Sequence, residues 1–122
     1  MTHERRRTGA LGEAWAIRIL KEIGYQIRAR NYRCRYGEVD VVAEEEGTIV
    51  FVEVKARRST RYGHPALAVT RAKQRRMIRA SQHYLIANGL EDRIVRFDVV
   101  AMVREKGAWR TELFRNAFQV ER

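Results

Sequence analysis

Two neighbouring apolar runs, Gly37-Glu38-Val39-Asp40-Val41-Val42-Ala43 and Val50-Phe51-Val52-Glu53-Val54-Lys55, restrict the folding of this chain more than any other feature. Both have the Val-rich composition of buried strands, and both carry charge where the middle of a sheet has none. An unpartnered Asp, Glu or Lys in such a strand would cost on the order of several kcal/mol. The three charges must therefore compensate one another or hold something. Two carboxylates facing each other beside a lysine suit a divalent cation, because hard ions such as Mg²⁺ take oxygen ligands from one or two carboxylates and from substrate phosphates.

The link between the runs makes the grouping geometric. Glu46-Gly47-Thr48 is short enough for a hairpin, with Gly47 able to supply the positive φ that such turns use. With Glu46 and Gly47 at the centre of the turn, Asp40 falls opposite Glu53. With Gly47 and Thr48 there, Asp40 falls opposite Lys55 and Val42 opposite Glu53. Either register keeps Asp40, Glu53 and Lys55 on one face, whereas an odd loop without a bulge would separate them. In the second run Phe51, Glu53 and Lys55 share one face and Val50, Val52 and Val54 the other, so this strand belongs inside a sheet covered on both sides.

The length of 122 residues predicts one domain over 1–122, with residues 1–8 (Arg5, Arg6 and Arg7 among them) as a flexible basic arm. At 45% hydrophobic with a single Pro, the chain has the composition of a folded domain. No apolar run approaches the roughly 20 residues of a membrane helix, and none follows the basic N-terminus as a secretory leader would require, so no membrane partner is expected. A lone cysteine, Cys34, cannot close an internal disulfide, which points to a reducing cytoplasm.

The net charge is +10, and of 25 basic residues only Lys21, Lys55, Lys73 and Lys106 are lysines. The arginines cluster: Arg28, Arg30, Arg33 and Arg35, then Arg57, Arg58 and Arg61, then Arg71, Arg75, Arg76 and Arg79 with Lys73 among them. A guanidinium grips phosphate bidentately, so an arginine-dominated excess favours a nucleic-acid partner, DNA first with RNA left open. Charge alone also fits a merely solvated surface.

Helical periodicity runs over about 9–24, with Ala16, Ile19, Leu20 and Ile23 as its main apolar face and Gly24 as its stop. Strands are expected over 25–33, 38–45 and 49–57, and a loop over 58–69. Thr70 caps a second helix over 71–88, whose apolar stripe is Met77, Ile78, Ser81, Tyr84 and Leu85. Strands over 94–103 and 109–114 complete the order αβββαββ, an α/β mixed sheet with a helix on each face.

Glu13 lies at the edge of the first apolar face, where a carboxylate could join the metal site or simply pair with an Arg. Gln74 lies on the core-facing stripe of the second helix, able to support phosphate or a lysine, or to be a satisfied buried amide. Asp98, between Phe97 and Val99, should pair with an Arg of the first strand or lie near the site. His3, His64 and His83 lack the spacing of a zinc site, and Cys34 lacks a partner that would make it a nucleophile.

With these residues in view, the chain resembles the PD-(D/E)XK nuclease superfamily. From Gly9 and Glu13 through Gly37-Glu38-Val39-Asp40 and Phe51-Val52-Glu53-Val54-Lys55-Ala56-Arg57 to Lys73-Gln74-Arg75, it is similar to the YraN-type bacterial family of predicted endonucleases, related in fold to Holliday junction resolvases. The superfamily's Pro before the Asp is Val39 here, which removes no ligand. The resemblance implies a restriction-endonuclease-like fold and metal-dependent hydrolysis of DNA, branched or structured DNA in repair and recombination included. It implies Mg²⁺ or Mn²⁺ on Asp40, Glu53 and the Val54 carbonyl, with Glu13 on a second metal or its water. Lys55 would orient or deprotonate the attacking water, and Gln74 would support the site. Arg57, Arg58, Arg61, Lys73, Arg75, Arg76 and Arg79 would face nucleic acid. A resolvase needs two sites and hence a homodimer. The alternative is a non-catalytic nucleic-acid-binding module on the same fold.

Overall fold

The hairpin forms around the turn that sets Val41 opposite Val52, one step short of Asp40 and Glu53. In the computed structural model, which describes residues 3–59, 61, 63 and 69–120 (for 3–8 and 10 the backbone alone), strand β2 (Gly37–Glu45) turns into β3 (Thr48–Arg57). Glu46 and Gly47 both adopt positive φ, 48° and 82°, the left-handed pair of a tight I′ hairpin turn. Val41 pairs with Val52, Val42 with Phe51 and Glu45 with Thr48, which is the first of the two registers above. His64 and Pro65, and most of the loop after β3, lie outside the described residues.

The sheet has five strands in the order β1-β2-β3-β4-β5, with β1 at Gln26–Cys34, β4 at Val95–Glu105 and β5 at Ala108–Phe118. Neighbours are antiparallel except β3 and β4, which run parallel and are joined through helix α2 (Arg71–Ala87). Parallel neighbours need such a crossover. Helix α1 (His3–Glu22) precedes the sheet. The element order is the expected αβββαββ.

Each helix covers one face. Ala16, Ile17 and Leu20 of α1 meet Val41, Ala43, Val50, Val52, Val100 and Met102, while Met77, Ala80 and Tyr84 of α2 meet Val39, Val42, Ile49, Phe51 and Phe97. The alternation of β3 is as read from the sequence. In β2, however, Val39 and Val42 face the same layer although an odd number of steps separates them, so the strand's alternation slips once between them, at Asp40 or beside it.

Several local expectations need correction. α1 begins at His3 and not at about residue 9, so the backbone of residues 3–8 is helical. Its buried face turns towards Ile17, and Ile23 is 44% exposed because the helix has already ended under it. β5 is longer than expected: Lys106 and Gly107 repeat the positive-φ turn (46° and 80°), and pairing continues to Phe97 with Phe118.

Asp98 neither pairs with the first strand nor reaches the acidic site. It is fully buried, accepting hydrogen bonds from Tyr25 Oη (2.7 Å), Arg96 Nε (3.1 Å) and the Asn116 backbone (3.0 Å). Arg96 continues the network to Glu45 at 2.6 Å, and Arg115 closes on the same carboxylate at 3.2 Å. Asn116 has φ 51° and sits where the β4–β5 register shifts, so the buried carboxylate shapes the bulge by claiming an N–H that the ladder gives up. Thr70 caps α2 as expected, its hydroxyl accepting from Lys73 N. Among the described residues no helix is long and apolar enough to cross a membrane.

Candidate active site at the end of the central strands

Beyond the Val41–Val52 pair, Asp40 takes over from the ladder. Its Oδ2 accepts the Val54 N–H at 2.8 Å, so the side chain bridges two strands at the point where backbone pairing stops. Burial raises the Asp40 carboxyl to about 7, and the negative charge of Glu53 pushes the same way. The Val54 N–H partly opposes this, and Glu13 and Glu38 add to the rise.

Glu53 is 5% exposed, and its Oε1 meets two ammonium groups, Lys55 Nζ at 3.2 Å and Lys73 Nζ at 3.4 Å. Lys55 comes from the same face of β3, two residues on, whereas Lys73 arrives from the first turn of α2. Burial lowers the Lys55 pKa, the neighbouring Lys73 lowers it further, and Glu53 only partly restores it. Glu53 thus stands between Lys55, which it pairs with, and Asp40, whose charge it opposes. The resemblance places Lys73 on the nucleic-acid face, whereas in the structure it meets Glu53 through a crossover that spacing does not reveal.

Glu13 reaches the cluster from α1. Its Oε1 is buried without a hydrogen-bond partner, and its charge is felt at Asp40. The cause of this approach is Gly12, which sequence reasoning passed over. A Cβ there would stand 2.7 Å from the Ala56 Cβ of β3, so only glycine lets α1 lie this close to the strand that carries Glu53 and Lys55. A glycine inside a helix costs about 1 kcal/mol relative to alanine, and that cost was the available signal of close packing.

Gln74 is placed differently from the others. Its Nε2 donates to the Val69 carbonyl at 3.1 Å and its backbone N–H to Thr70 O at 2.9 Å, so it ties the start of α2 to the preceding chain. Arg57, Arg58, Arg61, Arg75, Arg76 and Arg79 are all exposed.

The fold and site define a class: an α/β domain of restriction-endonuclease-like architecture, with an acidic pair and lysines where its central strands part. Residues 12–102, which span Glu13, Asp40, Glu53, Lys55 and Lys73, match the model described as Uncharacterised protein family UPF0102. The chain belongs to this family, the YraN family. It is 49% identical over 114 residues to a UPF0102 protein of Syntrophus aciditrophicus, covering 93% of this chain and 90% of the relative. With a UPF0102 protein of Desulforapulum autotrophicum the identity is 47% over 121 residues, 99% of this chain and 100% of the relative. With one of Symbiobacterium thermophilum it is 49% over 114 residues, 93% and 97% respectively.

Proposed function

We propose that this protein is a metal-dependent endonuclease that hydrolyses phosphodiester bonds in DNA. One observation carries the reading: half-buried Asp40 and buried Glu53 lie close together where β2 and β3 separate, with Lys55 and Lys73 both on the Glu53 carboxylate. A fold gains nothing in stability from such a cluster, since apolar residues of similar volume would serve as well or better.

The donor set fits a hard divalent ion. Asp40 repels Glu53, and Glu13 Oε1 has no partner, so a cation would relieve both. Among the described residues no three His, Cys, Asp or Glu side chains gather closely enough to form a full protein cage. Asp40 and Glu53 would therefore share Mg²⁺ or Mn²⁺ with the Val54 carbonyl, water and substrate phosphate, as Mg²⁺ sites commonly do. When bound, the ion would supply Lewis-acid polarisation of the phosphate and a more acidic water.

The chain's own groups supply the rest. Lys55 would orient the attacking water and, once in the neutral amine form that its lowered proton affinity makes easier to reach, take up the water's proton; the resulting ammonium would then face the charge that builds on the phosphoryl oxygens. The water oxygen forms the new P–O bond as the P–O bond to the leaving sugar oxygen breaks, and that alkoxide takes its proton from solvent water. Lys73 holds Glu53 from the helix side. Arg57, Arg75, Arg76 and Arg79 are exposed and make no ion pair among the described residues, so their guanidinium groups are available to phosphates. A homodimer would present two such sites to a branched substrate.

The competing reading is a binding module, favoured by one detail: Glu53 Oε1 is already held by two lysines. Branched, flapped, single-stranded and duplex DNA, with an RNA control, separate the two when incubated with Mg²⁺, Mn²⁺ or chelator. Cleavage that requires metal, is abolished in Lys55→Ala with binding retained, and is lost together with metal binding in Asp40→Ala supports the enzyme. Binding without cleavage of any substrate supports the module. Wild-type turnover in Lys55→Ala would show that the lysine is structural.

A further inference from the structure

The tip of the β1–β2 hairpin carries an aromatic group that the proposed chemistry does not use. Tyr36 is 40% exposed at the tip of the hairpin. It is not loose on the surface. The Arg35 guanidinium lies over it at 4.8 Å, and the His83 ring of α2 stands against it at 6.4 Å and 56°. His83 is itself fixed by a short contact between its Nδ1 and Tyr32 Oη, and Tyr32 packs edge-on against Tyr84 at 5.1 Å. The ring is therefore presented by a braced set of side chains running back into the core.

Its position ties it to the acidic cluster. Gly37, with φ 152°, follows Tyr36, and a Cβ there would meet Arg76 Cβ and the Arg76 carbonyl at 3.2 Å, so the hairpin tip sits directly on α2 at Arg76. One turn earlier on the same helix, Lys73 reaches Glu53. Side chains three apart on a helix are about 5–6 Å from each other, so Tyr36 and Glu53 flank a single helical turn. Along β2, Gly37 to Asp40 spans roughly 10 Å at 3.4 Å per residue, about three stacked base steps. The surroundings are basic: Arg30, Arg35, Arg76 and Arg79 are exposed.

We infer that Tyr36 is a stacking platform for an unpaired base close to the cleaved phosphate, and that the substrate carries a single-stranded segment there. Bases in duplex are stacked on one another and offer no free face, whereas an unpaired base stacks on an exposed aromatic ring regardless of sequence. Arg35 exchanges the ring for a neighbouring phosphate when the base arrives, so the cation that covers the ring in the free protein becomes a backbone contact in the complex. This rests on the nucleic-acid reading above and adds the class of substrate.

The test compares the wild type, Tyr36→Ala and Tyr36→Phe in chelator, with a labelled single-stranded 20-mer and the same sequence as duplex, at one salt concentration. Tyr36→Ala should weaken single-strand binding about tenfold, within the range one stacked base contributes, and leave duplex binding within about twofold. Tyr36→Phe should keep the wild-type affinity for both. A 2-aminopurine base in the single strand should lose fluorescence on binding the wild type and keep it with Tyr36→Ala. If Tyr36→Ala binds single strand like the wild type, or weakens both forms equally, the platform is wrong while the nucleic-acid reading stands. A wild type that binds neither form at low salt overturns both.

Discussion

Asp40 shows how one side chain joins the local geometry of the sheet to the electrostatics of the site. Its carboxyl completes the strand pairing through Val54 N–H, yet burial and Glu53 raise its pKa to about 7. The sign of the consequence follows from linkage. In the unfolded chain the group ionises near its ordinary value of 3.8, so between about pH 4 and pH 7 the folded state holds a proton that the unfolded state has lost. Stability from this group is therefore present at low pH and is lost as pH rises through 7, with a ceiling of roughly 4 kcal/mol at 1.36 kcal/mol per unit. Asn at this position still accepts the Val54 N–H and carries no charge. In chelator at pH 8, Asp40→Asn should be more stable than the wild type by about 1–3 kcal/mol, with the gain shrinking towards pH 4. The variant should also lose the rise in melting temperature that saturating Mg²⁺ or Mn²⁺ gives the wild type. Melting curves across pH, with chelator and with metal, check both. A mutant that melts lower at pH 8 and still gains from metal would assign Asp40 to a purely structural role.

Among the elements, the approach of α1 to β3 controls the site more than either element's own composition. Gly12 faces Ala56, and the next residue, Glu13, is carried to the acidic cluster by that contact. Gly12→Ala would gain about 1 kcal/mol of helix propensity but place a methyl 2.7 Å from Ala56 Cβ. The clash should dominate, with a net loss of about 1–2 kcal/mol in urea denaturation and weaker metal binding as Glu13 shifts. The double variant Gly12→Ala with Ala56→Gly should recover metal affinity, because the methyl is moved rather than added. Recovery would not follow if the effect came from helix propensity alone. The opposite end of the sheet shows the same logic, where the Asp98–Arg96–Glu45 network sets the β5 bulge at Asn116 without touching the site.

For the molecule as a whole, charge and shape have to be read together. A net charge of +10 says little until α2 carries Lys73 to Glu53 and leaves Arg75, Arg76 and Arg79 exposed along its outer side. If these three arginines each neutralise a phosphate, replacing all three with Ala should flatten the log–log salt dependence of DNA affinity by roughly 2 to 3, at about 0.9 for each phosphate. Titrations between low and moderate salt measure this directly. An unchanged slope would move the nucleic-acid surface to another face.

The hairpin and its register were legible in the sequence because they depend on neighbours. Glu46-Gly47 dictates a two-residue turn, so the register from Glu45–Thr48 to Val41–Val52 and the shared face of Glu53 and Lys55 were legible from spacing, whereas the slip of alternation at or beside Asp40 was not. The helices, their caps and the αβββαββ order were legible for the same reason, since periodicity is local. Distance in the chain hid the rest. Lys73 meets Glu53 only after the β3–α2–β4 crossover, Gly12 matters only because Ala56 lies beneath it, and Tyr36 gains a neighbour in His83 only when the hairpin tip docks on α2. Asp98 had the same apparent signature as Asp40, a carboxylate in an apolar strand, yet it has Tyr25, Arg96 and Asn116 as partners where Asp40 has Glu53. Pattern within a segment fixes which way a side chain points. Only the packing of segments decides what it meets there, and it is that meeting that sets its charge and its chemistry.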